Sequence, residues 1–505
     1  MPAKLKYNHR WAALAVICLS VLIINVDNTI LNVALPTLVR KLHATSSGLQ
    51  WIVDSYAMVF AGLLLVAGSL ADRFGRKLLF LIGLVIFAGG STGAALSGSV
   101  HALIVWRIVM GAGAAMLIPA SLSTITNIFI KPADRAKAIG IWAGIVGIGI
   151  AIGPIAGGLL LSRFWWGSIF LVNVPIAALG FIGALFLVPN SKNPKVSRPD
   201  FGGAILSTIG LGLLLWAIIE APVHGWTSRS VITVELTSLI VLVTFISWEH
   251  ISQHPMLKLN FFRERRFSIA ALAILLGIFG LMGALFIQTQ FLQFDLGYSP
   301  LDAGLRILPV AAMVVVSAPL SPLVARLVNV KFTVAAGLAA VAGGLWQIST
   351  ISSTHPTFVS VLPGMLLLGL GAGLMMPTAT NSLIGSVPRE ESGVGSATNT
   401  VAFQVGGALG VAVIGSILAT RYQSRIRLAT IGYHIPAAIM HTISGSLGGA
   451  LTVATSIGGS NGFLLAHAAR LAFMGGLKVS LVVGSLVALG GIVLVITILP
   501  EKAKN

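Results

Sequence analysis

The chain has 505 residues, of which 56% are hydrophobic and only 9% are charged. A water-soluble protein could not bury so much apolar surface, so this composition excludes a soluble fold and indicates a polytopic membrane protein. The net charge of +18 is dispersed over the segments between apolar runs. This distribution favours a role in membrane orientation over nucleic-acid binding.

The apolar runs are continuous, so we expect membrane-spanning helices in an all-α fold and not barrel strands. Fourteen runs of about 20 residues follow one another. They cover 11–35, 49–71, 78–97, 102–127, 138–161, 168–189, 202–220, 231–249, 268–291, 303–325, 332–351, 358–380, 395–419 and 477–499. Most Lys and Arg residues fall on one side if the N-terminus is cytoplasmic, which predicts that both termini are cytoplasmic.

The runs divide as six, two and six. We predict an N-terminal six-helix half over 1–190, a linker with two extra spans over 191–260, and a C-terminal half over 261–505. A weak internal repeat supports this division, because 319–331 occupies the place in the second half that 68–77 has in the first.

The segment 421–476 mixes His, Gly and Ser with short apolar runs and is not predicted to span. It is predicted to be a long extracytoplasmic loop. Two amphipathic helices near 435–445 and 464–474, lying on the outer leaflet, are one possibility. A mobile loop is the other.

Asp27 lies inside the first predicted span. An ionised carboxylate at that depth costs several kcal/mol unless it is paired or protonated. Such a group is suited to carrying a proton, although a permanently paired structural carboxylate is the alternative.

Asp54 in span two and Arg107 in span four lie at depths similar to that of Asp27. A buried arginine stays charged and requires a carboxylate partner. We therefore predict that Arg107 pairs with Asp27 or with Asp54, and that protonation of the acid releases the pair. The alternative is a static ion pair.

The stretch Gly68–Lys77 separates spans two and three and carries four charges, on Asp72, Arg73, Arg76 and Lys77. It cannot lie in hydrocarbon and is predicted to be a tight cytoplasmic loop, in which Gly75 permits the reversal of the chain.

In span five, Gly149, Gly153 and Gly157 recur every four residues and therefore share one helix face, with Pro154 and Gly158 beside them. Such a face permits close helix approach, and the proline is expected to bend the helix. Ordinary helix packing is the alternative to a role in conformational change.

A central cavity is expected to be apolar and aromatic with a few polar groups. Candidate substrate contacts are Asn28, Asn32, Gln288, Phe286, Asn399 and Phe403. For each of them, a packing or lipid-facing role is the alternative. The predicted spans nine to fourteen contain no deep acid, which favours a neutral or monocationic substrate over a divalent cation. Phosphate-loop, metal-site and nucleophile motifs are missing, so we expect neither an enzyme nor a metal site.

Three of these stretches resemble one family. Gly68–Lys77 resembles the loop motif of the major facilitator superfamily, and Arg107 with Gly111 and Gly113 resembles its span-four motif. Asp27–Pro36 resembles the first span of the fourteen-span drug:proton antiporters, which include exporters of quaternary ammonium compounds. Gly149–Gly158 resembles the span-five motif of antiporters.

The resemblance implies a major facilitator fold with fourteen transmembrane helices and a proton-coupled multidrug efflux antiporter in the plasma membrane. It implies roles in coupling for Asp27 and Arg107, with the proton as coupling ion and no other cofactor. Conformational gating is expected at Gly68, Asp72, Arg73, Gly75, Arg76, Gly149, Gly153, Pro154, Gly157 and Gly158. Asp72 is expected at a helix N-terminus. The expected partners are the bilayer and a drug-like molecule, and we expect a monomer.

Two alternatives remain open at this stage. One is an exporter of a dedicated lipid, peptide or metabolite on the same fold. The more distant one is a membrane sensor that transports nothing.

Overall fold

The computed structural model describes residues 7–192, 199–253, 255–351, 356–388, 392–431 and 435–500, and these residues are mostly helical with no strand among them. The N-terminal half contains α1 (Tyr7–Leu42), α2 (Ser46–Phe74), α3 (Arg76–Ala95), α4 (Val100–Ile128), α5 (Pro132–Arg163), α6 (Ser168–Leu171) and α7 (Asn173–Leu187). Two further helices follow, α8 (Phe201–His224) and α9 (Arg229–Ile251).

The rest of the chain begins with a short 3₁₀ turn (Leu259–Arg263) and α10 (Arg265–Gln290), which continues as a π-helical turn (Phe291–Asp295). The later helices are α11 (Pro300–Ser349), α12 (Phe358–Ile384), α13 (Ser392–Ala429), α14 (Ala437–Gly445), α15 (Leu447–Ile457) and α16 (Gly459–Ile498).

Twelve helical stretches in the described parts of the chain are long and apolar enough to cross a membrane. One of them, Pro300–Ser349, contains two predicted spans, because its backbone breaks at Asn329. The 32-residue α5 covers another predicted span. The structure is therefore an all-α polytopic membrane protein, and its helices are compatible with the predicted fourteen.

The chain reverses direction after α2 and again within α11. At each reversal a single residue with positive φ interrupts the helix. Gly75 separates α2 from α3 with φ 125°, and Asn329 interrupts α11 with φ 72°. Glycine and asparagine are the residues that reach positive φ most readily. Gly75 lies in the stretch 68–77 and Asn329 in the stretch 319–331, the two stretches that the internal repeat compares.

Helices pack first within each half. In the first half α1 lies against α5 and α7, and α2 lies against α4; in the second, α10 lies against α12 and α13, and α11 against α12 and α16. The halves meet where α5 packs on α11, α2 on α13 and α1 on α10.

The extra pair lies beside this junction. Helix α8 packs on both α2 and α13, and α9 packs on α8. The Trp51 indole of α2 donates a hydrogen bond to a Glu220 carboxylate oxygen of α8, at 3.0 Å. The extra pair is thus fastened to both halves through α8.

The segment predicted as a long extracytoplasmic loop contains helices, which were one of the two forms expected for it. Residues 435–475, which we call the cap, contain α14, α15 and the first part of α16. The Tyr422 hydroxyl of α13 donates to the Ile443 carbonyl at 2.8 Å, and Ser46 of α2 donates to the Gly445 carbonyl at 2.9 Å. The end of the bundle next to the cap is called the cap end, and the end that carries Gly75 is called the loop end.

The boundaries around the cap differ from the predicted ones because helix extends beyond the apolar core of each span. Helix α13 continues to Ala429, and α16 already begins at Gly459. Buried apolar residues such as Ile443, Leu447 and Phe473 anchor the cap helices. The frequent Gly and Ser residues lower the hydropathy of the segment, so hydropathy alone does not identify its helices.

Candidate functional site

A buried ion pair joins α1 to α4. The Arg107 Nη1 atom lies 2.5 Å from Asp27 Oδ2, and the side chains are 1% and 0% exposed. Of the two acids that the sequence offered as partners, Arg107 pairs with Asp27. The pair is enclosed by apolar helices, so neither charge is screened by water.

Arg107 makes two further contacts, both with α2. Its Nε atom donates to the Ile52 carbonyl at 3.0 Å. The centre of its guanidinium lies 4.2 Å from the centroid of the Tyr56 ring, a cation–π distance. These contacts would hold the arginine in place if the acid became neutral.

Asn173, the first residue of α7, supplies the second partner of Asp27. Its Nδ2 atom donates to Asp27 Oδ1 and to the Ser91 hydroxyl of α3, both at 3.0 Å. Asn173 is fully buried. Sequence reasoning missed this residue, although an amide inside an otherwise apolar span is a signal that could have found it.

Asp54 does not join this network. Its side chain is fully buried, and neither carboxyl oxygen has a hydrogen-bond partner in the part of the chain that the structure describes. An ionised carboxylate in such surroundings is costly. Asp54 is therefore not the partner of Arg107, although the sequence had left it as one of two candidates.

At the loop end, Asp72 and Arg76 pair within the N-terminal half. Asp72 Oδ1 lies 2.7 Å from Arg76 Nε, and Arg76 Nη1 donates to the Ser123 carbonyl at the end of α4, at 3.1 Å. The expectation that Asp72 sits at a helix N-terminus is wrong, because Asp72 lies in the last turn of α2. Helix α2 continues almost to Gly75, so the pair spans the α2–α3 reversal.

The other predicted gating residues of this loop also contact their own half. A Cβ at Gly68 would lie 3.4 Å from Pro119 of α4, and Arg73 is exposed with its guanidinium 5.7 Å from the Phe74 ring. Within the described residues, the observed contacts of this loop do not reach the C-terminal half.

The glycine face of α5 lies on α1, a partner that the glycine spacing alone did not identify. A Cβ at Gly149 would come within 2.6 Å of Asn25, and a Cβ at Gly153 would overlap the Thr29 hydroxyl. Gly157 meets Ile30 in the same way. Because these glycines have no side chains, α5 and α1 approach each other closely.

Pro154 and Gly158 face the other half. A Cβ at Gly158 would lie 2.5 Å from Leu301 Cα, and one at Gly304 would overlap the Pro154 carbonyl. The motif thus connects α5 to α1 on one side and to α11 on the other.

The six candidate substrate contacts are distributed over α1, α10 and α13. Asn32 donates to the Asn28 carbonyl at 3.3 Å, and Asn399 accepts from Thr380 of α12 at 2.8 Å. Phe286 is buried and lies beside Gly415, and Phe403 is half-buried. Gln288 is 3% exposed, and neither of its amide atoms has a partner among the described residues. The contacts observed for these six residues do not bring them together around one pocket.

Comparison with known proteins agrees with this architecture. The model of the Major Facilitator Superfamily matches residues 17–411. The multidrug efflux pump LfrA of Mycolicibacterium smegmatis is 34% identical over 95% of this chain and 94% of its own. The tetracenomycin C resistance and export protein of Streptomyces glaucescens is 31% identical over 95% and 90%.

Two further matches are a resistance protein and a solved structure. The methyl viologen resistance protein SmvA of Salmonella typhimurium is 32% identical over 92% of this chain and 93% of its own. A bacterial homologue of the human lysosomal transporter Spinster superposes with a TM-score of 0.70 at 17% identity, over 99% of each chain. The last match shows the shared fold.

Proposed function

Because this chain belongs to the Major Facilitator Superfamily and is a transporter rather than an enzyme, we propose that it is a proton-coupled drug efflux antiporter. It exports lipophilic or monocationic compounds from the cell by alternating access. It works as a monomer in the plasma membrane with both termini in the cytoplasm, so that the loop end faces the cytoplasm and the cap faces outward.

Support for drug export comes from the relatives that the chain matches over nearly its whole length. Two of them are named for resistance, and a third is named as a multidrug efflux pump. The α5 glycine motif, which resembles the motif of antiporters, adds to this support. The absence of acids deep in the second half favours neutral or singly charged substrates.

The single observation that best supports proton coupling is the buried ion pair of Asp27 and Arg107. In the conformation described, Asp27 accepts hydrogen bonds from Arg107 and Asn173, and these bonds connect α1 to α4 and α7. A proton that reaches Asp27 from outside neutralises it and weakens the pair. Arg107 keeps its charge and its contacts with Ile52 and Tyr56, so α1 is released from α4 without leaving the arginine unpartnered.

Asp54 is the second acid of the proposed coupling machinery. Its buried carboxyl group has no hydrogen-bond partner in the described chain, so Asp54 is not held by an arginine as Asp27 is. Its proposed role is to exchange its proton when α2 moves. It does not replace Asp27 as the primary carrier.

The proposed substrate contacts are Asn28, Asn32, Gln288, Phe286, Asn399 and Phe403. They come from α1 in one half and from α10 and α13 in the other, which is where alternating access places a midplane site. The unpartnered amide of Gln288 is a buried polar group that a ligand could satisfy. Gly68, Asp72, Arg73, Gly75 and Arg76 are proposed to latch the loop end when the halves close there.

The test uses purified protein in proteoliposomes with an imposed pH gradient. Ethidium, a monovalent lipophilic cation, and proton flux are followed together. We expect gradient-driven ethidium movement with matching proton flux in the parent protein. Asp27→Asn should abolish both fluxes, because it removes the titrating group. Asp302→Asn is the matched control, since Asp302 also pairs with an arginine but is 52% exposed.

The other possible results of this experiment would each favour a different function or a different proton carrier. Proton-coupled movement that survives in Asp27→Asn would assign the carrier role to Asp54. Absence of ethidium movement in the parent would favour an exporter of a dedicated lipid, peptide or metabolite, which a screen of such compounds would identify. Absence of flux for every compound would favour a membrane sensor.

A further inference from the structure

Two buried glutamines cross from one half of the bundle to the other. Gln50 belongs to α2 of the N-terminal half, and Gln293 lies in the π-helical turn after α10 of the C-terminal half. Their side chains are 0% and 4% exposed. Both lie toward the cap end.

Gln50 inserts its amide into the backbone of α13. Its Nε2 atom lies 3.0 Å from the Val411 carbonyl, 2.9 Å from the Ala412 carbonyl and 3.2 Å from the Ser416 hydroxyl. Gly415 makes room for the amide, because a Cβ at Gly415 would overlap it. The amide therefore occupies a place shaped to receive it.

Gln293 makes the reverse connection. Its Nε2 atom donates to the Val33 carbonyl of α1 at 2.8 Å. The residue lies within a π-helical turn, an irregularity that is rare in helices and frequent at functional sites. Each half thus places one donating amide against main-chain carbonyl groups of the other, two for Gln50 and one for Gln293.

We propose that Gln50 and Gln293 form an amide latch that holds the two halves together at the cap end. The proposal rests on alternating access, which is part of the proposed function, because that cycle requires α2 to leave α13 and α1 to leave α10. When the halves separate, the hydrogen bonds of both amides break and both amides are left to water. The latch therefore sets the fraction of molecules that are open at the cap end.

The latch also has an energetic cost. The Oε1 atoms of Gln50 and Gln293 are both buried without a hydrogen-bond partner in the described chain. A closed state that is stabilised by two donors but leaves two acceptors unsatisfied is favoured only modestly. That balance suits a latch that must open in every transport cycle.

The experiment measures the separation of the halves directly, without substrate or pH gradient, so it does not depend on drug transport. Spin labels are attached to Leu96→Cys and Val359→Cys, in a protein that carries Cys18→Ser. Leu96 and Val359 are 75% and 74% exposed and belong to opposite halves at the cap end. Pulsed electron–electron double resonance gives the populations of short and long distances between the labels.

We expect Gln293→Met to raise the ratio of cap-open to cap-closed molecules roughly fivefold, since it removes one neutral hydrogen bond, and Gln50→Met to raise it by more, since the Gln50 amide donates to two main-chain carbonyls of α13. The double variant should show roughly the product of the two effects. Gly415→Ala keeps both glutamines but displaces the Gln50 amide, so it should act like Gln50→Met.

Gln347→Met is the matched control. Gln347 also donates its amide to a main-chain carbonyl, that of Ser360 at 2.7 Å, but both residues belong to the C-terminal half. Its distance distribution should equal that of the parent. The proposal is overturned if the latch variants leave the distribution unchanged, or if Gln347→Met widens it as much as they do.

Discussion

Arg107 is held by three different contacts, and only one of them depends on the charge of Asp27. The Ile52 carbonyl and the Tyr56 ring bind the guanidinium whether or not the acid is ionised. A lysine has neither the Nε donor nor the flat face that these contacts use. The residue at this position must therefore be an arginine for geometric reasons as well as for its charge.

Arg107→Lys should consequently lose most proton-coupled transport although it keeps the positive charge. We expect a rate at least about tenfold lower, which corresponds to a loss of about 1.4 kcal/mol, within the range for a charged hydrogen bond. The rate of gradient-driven ethidium movement in proteoliposomes measures this effect.

Arg306→Lys provides the comparison. Arg306 also pairs with an aspartate, Asp302, and its guanidinium lies 3.8 Å from the Tyr298 ring, but the arginine is 31% exposed. Water can replace contacts there, so the transport rate should change little. Equal losses in the two variants would contradict the assignment of Arg107 to coupling.

At residue scale the sequence could predict that Arg107 needs an acid but could not choose between Asp27 and Asp54. Both acids lie at a similar depth, and depth alone does not say which helix faces which. The amide of Asn173 stands out as a polar group in an apolar span, but it carries no charge, so the sequence does not show which group it must bind. Its place beside Asp27 depends on tertiary packing.

At the scale of helices, the contact of α1 with α5 decides how freely the first half can rearrange. Gly153 lies against Thr29, whose hydroxyl also donates to the Gly149 carbonyl at 3.2 Å. The two helices touch through backbone and small side chains, and an added methyl group has no free space there.

Gly153→Ala should therefore destabilise the protein by about 1–3 kcal/mol, the usual cost of overpacking, and should slow transport. The thermal unfolding midpoint and the ethidium flux measure the two effects. Gly144→Ala, in the same helix, is the control, because a Cβ at Gly144 meets nothing within 4 Å. Adding Thr29→Ala to Gly153→Ala should restore part of the loss, and a failure to do so would contradict the proposed contact.

Helix existence was predictable from hydropathy, but helix ends were not. The α2–α3 reversal was predicted as a loop, and the structure reduces it to Gly75. Hydropathy marks the apolar part of a span, whereas hydrogen bonding continues the helix into polar sequence at either end. For the same reason α13 and α16 are longer than predicted, and the cap helices were left as one of two possibilities.

At the scale of the whole molecule, the two halves meet through α5 and α11, α2 and α13, and α1 and α10. The observed contacts at Gly158, Gln50 and Gln293 lie toward the cap end. The Asp72–Arg76 pair at the loop end lies within one half. This arrangement is the one expected of a transporter that is closed at the cap end.

The extra pair of helices belongs to the same picture. Helix α8 lies on both α2 and α13, the two helices that the proposed transport cycle separates at the cap end. The division into six, two and six remains a prediction. Its physical basis is that α9 packs on α8, which places the pair at the side of the bundle.

The central claim is that Asp27 exchanges its proton for substrate. The most direct measurement is the number of protons released when ethidium binds to purified protein, obtained by titration calorimetry in buffers of different ionisation enthalpy over a range of pH. We predict proton release in the parent protein and in Asp54→Asn, and none in Asp27→Asn. Ethidium binding without proton release at any pH, or undiminished release in Asp27→Asn, would contradict the claim.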